Sequence, residues 1–350
     1  MPAQPLLFFF LLLLGSPSLL IHGLSFQAEH IIVDAKRLEP LVLSTATHQC
    51  PLSPFPSGQW PMFGGQVDSR PTICTHGRDY GDMSKCYQYI DRRWSQTFQM
   101  PESIMSATST QINKGSDMWV ASGRMTPKGK SWPQYTNKTY IVQGPQDIQP
   151  GIDLPYHSRS PQLLHFSGEK VLYVAPSTDY RLWNKVLVSI IDLDEVTPTW
   201  TSLTPYTRVG RGVRYRYFVV APTSGNTEPK LFAFSAANSY YSDDVTLTSQ
   251  VLDLATNQWS TGPSATNSYR HFSTVYGHVL FFEGEVYVFG NSMGLESFDR
   301  PVHLDENNKI EGLHFPLENG SGKWTGIKNT AKSTDSYFLD YVSCSGMVDC

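Results

Sequence analysis

Apolar residues along this chain almost nowhere recur at the three-to-four spacing of a long amphipathic helix. Short runs rich in β-branched and aromatic residues recur instead, bounded by Gly, Pro, Ser and Asn. That pattern predicts many brief strands joined by turns, and therefore an all-β fold. The clearest unit begins at Tyr269-Arg270-His271. There the strand HFSTVYG leads to a tight hairpin in which HVLFF and EVYVFG flank Glu283-Gly284.

A second signature repeats. A strand ends in an aspartate, a polar turn follows, and a tryptophan opens the next strand. It reads VLDLATNQW at Asp253 and Trp259, IIDLDEVTPTW at Asp192 and Trp200, and CYQYIDRRW at Asp91 and Trp94, with a weaker copy from Asp305 to Trp324. Trp94 and Trp200 lie 106 residues apart, two units of 53, and the next intervals are 59 and 65. Periods near 50 built from four short strands predict propeller blades, because one four-stranded sheet cannot bury both its faces alone. In such a unit the indole is expected to fill the wedge between neighbouring sheets. The Asp is expected to accept the hydrogen bonds of the turn.

These units resemble the kelch-repeat β-propeller family over most of residues 57–335. Where that family ends its second strand in a diglycine, this chain has His76-Gly77, Ser122-Gly123, Ala175-Pro176 and Gly290-Asn291. The segment ICTHG…KCYQYID resembles secreted kelch-like proteins with a cysteine pair in one blade, which implies a bond between Cys74 and Cys86. The units predict blades over about 57–103, 104–157, 158–207, 208–265 and 266–334. SYFLDYVS at the C-terminal end and HIIVDA, PLVLST and CPLSPF at the N-terminal end remain. They predict a sixth blade from 335–350 and 28–56, one strand from the tail and three from the head, which removes the open sheet edge. Taking a 23-residue leader from 350 leaves 327, or 54.5 per blade for six. The expected fold is a six-bladed kelch-type β-propeller, a single domain over 24–350, its last blade closed by N- and C-terminal strands. Cys50 would then share a blade with Cys344, with Cys350 as the alternative partner, and the spacing does not choose between them.

Composition narrows the setting. A chain 40% hydrophobic and 17% charged folds rather than staying disordered. A net charge of -4 argues against a nucleic-acid surface. Leu6 to Leu14 is an uninterrupted apolar run broken by Gly15 and Pro17, which predicts a signal peptide over 1–23 and a secreted, extracellular protein with no membrane insertion after cleavage. In that compartment the five cysteines are disulfide candidates, and the odd one is free or bonds another chain. The sequons Asn137-Lys138-Thr139 and Asn319-Gly320-Ser321 predict N-glycans at Asn137 and Asn319.

Few residues suggest chemistry. Gly290-Asn291-Ser292-Met293-Gly294 spells G-x-S-x-G, but Pro301 and the absence of a helix pattern after it speak against a hydrolase elbow. The propeller resemblance admits a galactose-oxidase-like copper enzyme, yet no Tyr and His fall into a ligand spacing, and His165, His271 and His278 read as structural histidines between strand formers. Arg208, Arg211, Arg214 and Arg216 form a basic run that reads either as a contact patch for an acidic partner or as a blade entrance. Trp132, Tyr135, Tyr240 and Tyr241 lie in polar stretches and read equally as contact residues or as packing under long loops. The function expected is a non-catalytic module, without cofactor, that binds an extracellular protein or a glycan. The alternative is an extracellular enzyme on the same scaffold, a copper oxidase ahead of a serine hydrolase at Gly290–Gly294.

Overall fold

The computed structural model describes residues 25–34, 40–47, 49–57, 59–76, 83–126, 133–158, 160–179, 184–207, 216–223, 226–237, 245–262, 265–267, 272–292, 310–316, 325–328 and 341–350. Apart from one 3-10 turn at Asn113–Gly115, their regular structure is all strand. The chain opens with β1 (Ser25–Asp34) and β2 (Leu41–Leu43), then forms a sheet from β3 (Pro61–Val67), β4 (Arg70–Thr75), β5 (Lys85–Ile90) and β6 (Arg93–Gln99). Next come β7 (Ser103–Met105), β8 (Thr108–Ile112), β9 (Asp117–Ala121), β10 (Arg124–Thr126), β11 (Gln134–Tyr135), β12 (Thr139–Gly144) and β13 (Asp147–Pro150). Three regular meanders follow. One is β14 (Gln162–Ser167), β15 (Lys170–Pro176), β16 (Lys185–Asp192) and β17 (Thr201–Thr207). Another is β18 (Arg216–Thr223), β19 (Asn226–Ala237), β20 (Val245–Asp253) and β21 (Gln258–Thr261), with β22 (Ala265–Asn267) also on β20. The last is β23 (Phe272–Phe282), β24 (Glu285–Ser292), β25 (Ile310–Pro316) and β26 (Thr325–Lys328), and the chain ends with β27 (Tyr341–Asp349).

Each meander is antiparallel and ordered as it occurs in sequence. In the second, the order is β8-β9-β12-β13, because β7, β10 and β11 leave it to form a small three-stranded sheet of their own. The first strands of the sheets touch in succession: β3 meets β8, β8 meets β14, β14 meets β18, β18 meets β23, β23 meets β27, and β27 meets β3.

Burial explains the pattern along each sheet. Second strands are covered on both faces, so Pro71–Thr75, Asp117–Ala121 and Val171–Ala175 are buried without interruption. Fourth strands are half-exposed, as in the pattern of β6. The core is a series of wedges between sheets. Ile31 and Val342 pack on Ile73 and Tyr87; Phe63 and Phe98 on Met118 and Val142; Trp119 on Tyr173 and Ile191; Leu172 and Val188 on Phe218 and Leu252. The repeated tryptophans close these wedges. Trp200 stacks on Trp119 at 5.8 Å, Trp259 meets Tyr206 at 5.3 Å, and Trp94 meets Phe55 at 5.4 Å. Trp324 lies outside the described residues.

The aspartates of the repeat divide by turn length. Asp253 accepts the amides of Ala255 and Thr256 at 3.0 and 3.1 Å, and Asp192 accepts that of Asp194 at 3.1 Å. Asp91 instead sits in a two-residue hairpin, where it and Arg92 take φ of 48° and 63°. Glu283-Gly284 turns the same way, as its hairpin pattern predicts. HFSTVYG and HVLFF, read as two segments, join from Phe272 onward in one strand, β23, irregular between Ser273 and His278.

The joining of the termini departs from expectation in two respects. Only two head strands take part: β1 lies between β2 and β27, with Ser25 opposite Asp349 and Asp34 opposite Tyr341. CPLSPF forms no strand, since Pro51, Pro54 and Pro56 lack the N–H a ladder needs. It is held as coil by Leu52 and Phe55, both buried against Trp94 and its neighbours. Of SYFLDYVS, residues 336–340 lie outside the described residues and the strand runs on from Tyr341.

The disulfides differ as well. Cys74 and Cys86 face each other across β4 and β5 and are bonded, as the resemblance implies. Cys50 bonds Cys350, with Cα atoms 5.8 Å apart, and Cys344 is a buried free thiol. Six residues of β-strand at about 3.3 Å each separate Cys344 from Cys350, roughly 20 Å, while a disulfide tolerates a Cα separation of only about 7 Å. A Cys50 placed to reach one cannot reach the other.

Two glycines permit the tight join. Gly346 has φ of +146°, and a Cβ there would lie 2.6 Å from the Pro71 nitrogen. At Gly64 a Cβ would lie 2.7 Å from the Ser343 carbonyl oxygen. β27 therefore comes closer to β3 and β4 than strands with side chains at those positions permit.

Candidate functional site

The small sheet β7-β10-β11 has no counterpart in the other meanders as described, and it presents an aromatic and cationic cluster. Its underside is anchored. Ile104 and Met125 are buried, and the Ser84 hydroxyl accepts the Ile104 amide at 3.1 Å and donates to the Ile104 carbonyl at 3.3 Å. Strand alternation then turns Arg124 away from the core, directly opposite Tyr135.

Arg124 donates from Nη2 to the Tyr135 hydroxyl at 3.1 Å, with its guanidinium carbon 5.0 Å from the ring centroid. His157 stacks on the same ring, centroids 5.9 Å apart and planes 26° from parallel. Tyr135 is still 48% exposed, which is unusual for a large aromatic with two partners. His157 does not swing freely, because both its chain neighbours are tied to β15. The Tyr156 carbonyl accepts the Tyr173 hydroxyl at 2.9 Å, and the Ser158 hydroxyl donates to the Pro176 carbonyl at 3.1 Å.

Asn137 stands two residues beyond Tyr135. Its carbonyl accepts the Leu154 amide at 2.7 Å, and its Nδ2 donates to the Leu154 carbonyl at 3.4 Å. Thr139, third residue of the sequon, is buried, with its hydroxyl donating to the Ile152 carbonyl at 2.9 Å.

Such a cluster offers a half-exposed aromatic ring with a guanidinium over it and an imidazole stacked on it, held in place before any ligand arrives. That arrangement suits the face of a sugar ring or a planar side chain. Among the described residues no group of three or more His, Cys, Asp or Glu is placed to hold a metal ion.

Of the residues singled out from sequence, Tyr135 and Asn137 fall within this site. Trp132, Tyr240, Tyr241, Asn319, His271, Arg208, Arg211 and Arg214 lie outside the described residues, and Arg216 opens β18. Gly290, Asn291 and Ser292 lie within β24, with Ser292 opposite Phe272, so G-x-S-x-G starts inside a ladder rather than on a turn; Met293 and Gly294 are outside the described residues. His165 bonds the Gly168 carbonyl at 2.8 Å in an exposed turn, and His278 meets the Ser343 hydroxyl at 2.7 Å within the fold. Arg124 and His157 were not foreseen. Their separations of 11 and 22 residues from Tyr135 carry no periodic signal, and Trp60, 60% exposed, was not singled out either.

No family model matches the chain, and no curated protein does. Solved structures do. One is a functionally unknown protein from Desulfotomaculum acetoxidans, 10% identical over 92% of this chain and 98% of that one, with a TM-score of 0.48. AofleA from Arthrobotrys oligospora is 7% identical over 92% and 91%, with a TM-score of 0.46. The Aleuria aurantia lectin in complex with Fucalpha1-6GlcNAc is 10% identical over 78% and 80%, with a TM-score of 0.45. Likenesses this distant carry no functional argument.

Proposed function

We propose that this chain is an exported, six-bladed kelch-type propeller that binds saccharide through the Tyr135 platform. The succession of first strands from β3 through β27 and back to β3 supports a closed ring of six, with blades near the bounds read from the repeats. Two disulfides suit an oxidising compartment, in keeping with a leader over 1–23. The observation that carries the binding reading is Tyr135 itself: half-exposed, yet fixed between Arg124 and His157. Rigid exposed aromatics flanked by Arg are the residues that dominate recognition surfaces.

The test is saccharide binding by the full chain made unglycosylated in a bacterial periplasm, compared with its Tyr135→Ala variant. The expected loss is about 30-fold in affinity, the usual consequence of truncating an aromatic anchor. Equal binding by the two proteins, or no saccharide bound by either, removes the reading.

A further inference from the structure

We propose that the first N-acetylglucosamine of the glycan on Asn137 seats on Tyr135 of the same chain, so that glycosylation at Asn137 occupies the platform in cis. The inference rests on reading that platform as a saccharide seat.

Four observations converge. Tyr135 precedes Asn137 by two residues, and the Lys138 amide donates to the Thr136 hydroxyl at 3.1 Å, which ties the backbone between them. Two residues span at most about 7 Å of chain, close to the width of one sugar ring. A sugar leaving Nδ2 of Asn137 thus reaches the Tyr135 ring without a linker.

The linkage chemistry is compatible with the contacts already there. N-glycosylation replaces one of the two hydrogens on Nδ2. The other remains to donate to the Leu154 carbonyl, as Nδ2 does at 3.4 Å. Keeping that bond fixes the direction in which the sugar leaves.

The order of events follows from Thr139. Its hydroxyl, which the sequon requires, is buried and committed to the Ile152 carbonyl. Transfer therefore precedes folding of this segment, and the sugar is present when β10, β11 and the 151–158 segment come together. Arg124, over the Tyr135 ring, and His157, stacked on it, then supply donors for the acetamido carbonyl and the hydroxyls.

The consequence is a glycan that stabilises the fold through one aromatic side chain. Peptide mass spectrometry on protein secreted from eukaryotic cells should find Asn137 occupied. The melting temperature of that protein should exceed that of Asn137→Gln by roughly 1–3 °C, as expected for a contact of this size in a chain this long. In the Tyr135→Ala background the same comparison should give no difference, while Tyr135→Phe should keep it. Trimming the glycan to its first sugar should also keep it. An unoccupied Asn137, an increment that survives Tyr135→Ala, or one lost on trimming overturns the proposal. If Tyr135→Ala is not secreted, trimming and Tyr135→Phe decide alone. No saccharide is added in these experiments, so failure to bind one from solution leaves their outcome readable, and the reverse holds too.

Discussion

Trp259 donates its indole Nε1–H to the carbonyl of Thr204 at 2.9 Å, across 55 residues of sequence and from one sheet to the one before it. The same bond recurs in the other described copies of the repeat: Trp200 to the Asp153 carbonyl at 2.8 Å, and Trp94 to the Ser53 carbonyl at 3.2 Å. Each repeat tryptophan thus packs its ring against the preceding segment and ties its polar edge to that segment's backbone. On the far side of the Trp259 contact, Asn257 adds two more bonds to Thr204, both at 2.8 Å.

Trp94 is the most buried of the three, so it separates ring from hydrogen bond most cleanly. Trp94→Phe retains much of the ring and should cost about 1 kcal/mol for the lost donor. Trp94→Ala, which empties the space between Phe55 and Tyr89, should cost about 3–5 kcal/mol. Urea denaturation followed by near-ultraviolet circular dichroism gives both numbers. Equal losses would mean that the bond, not the ring, holds the wedge.

Cys50 and Cys350 close a loop with a sequence separation of 300. Chain-entropy reasoning assigns a loop that long a stabilisation of about 6 kcal/mol, above the roughly 2–4 kcal/mol typical of disulfides. Cys50→Ser should therefore lower stability by several kcal/mol and release β1 and β27 together. Cys344 should resist alkylation in the native state, because burial pushes its thiol well above the ordinary range and leaves no access. Non-reducing peptide mapping should yield Cys50–Cys350 and Cys74–Cys86; a Cys50–Cys344 peptide would contradict the register of β27.

His278 makes the same seam sensitive to acid. It faces the Ser343 hydroxyl of β27 and lies near His30 of β1. Burial, with a smaller contribution from His30, pushes its pKa from 6.5 down to about 4. Burial lowers His30 as well, against the opposing pull of its bond to the Phe281 backbone and of Glu29. The unfolded chain takes up these protons near pH 6.5 and the folded chain does not. Stability is therefore complete above pH 6.5 and falls as the pH drops from there toward 4. For His278 alone the loss should be roughly 2–3 kcal/mol across that window. Denaturation midpoints at pH 7.5, 6 and 4.5 measure it, and His278→Asn should flatten the slope. An unchanged slope in that variant would assign the acid sensitivity elsewhere.

What was legible in the sequence is what local rules and repetition encode. Short runs of β-branched and aromatic residues between turn formers give strands because such side chains pack well on a pleated surface. Asp-turn-Trp recurs because each unit presents the same wedge to its neighbour, and only a large ring with a polar edge both fills it and bonds across it. Cys74 and Cys86 followed from a resemblance, and the register of β4 on β5 makes the pairing. Tertiary structure alone decided the rest. The partner of Cys50 depends on which end of β27 its coil meets, a matter of some 20 Å in space that spacing along the chain does not report. The failure of CPLSPF to form a strand reflects prolines that pack against Trp94 instead of pairing. Arg124 and His157 join Tyr135 only because an added sheet and a tethered bend bring three unrelated segments to one spot. Strands and turns are made by neighbours in sequence, whereas a site is made by neighbours in space, and it is the long-range packing of the sheets that chooses those.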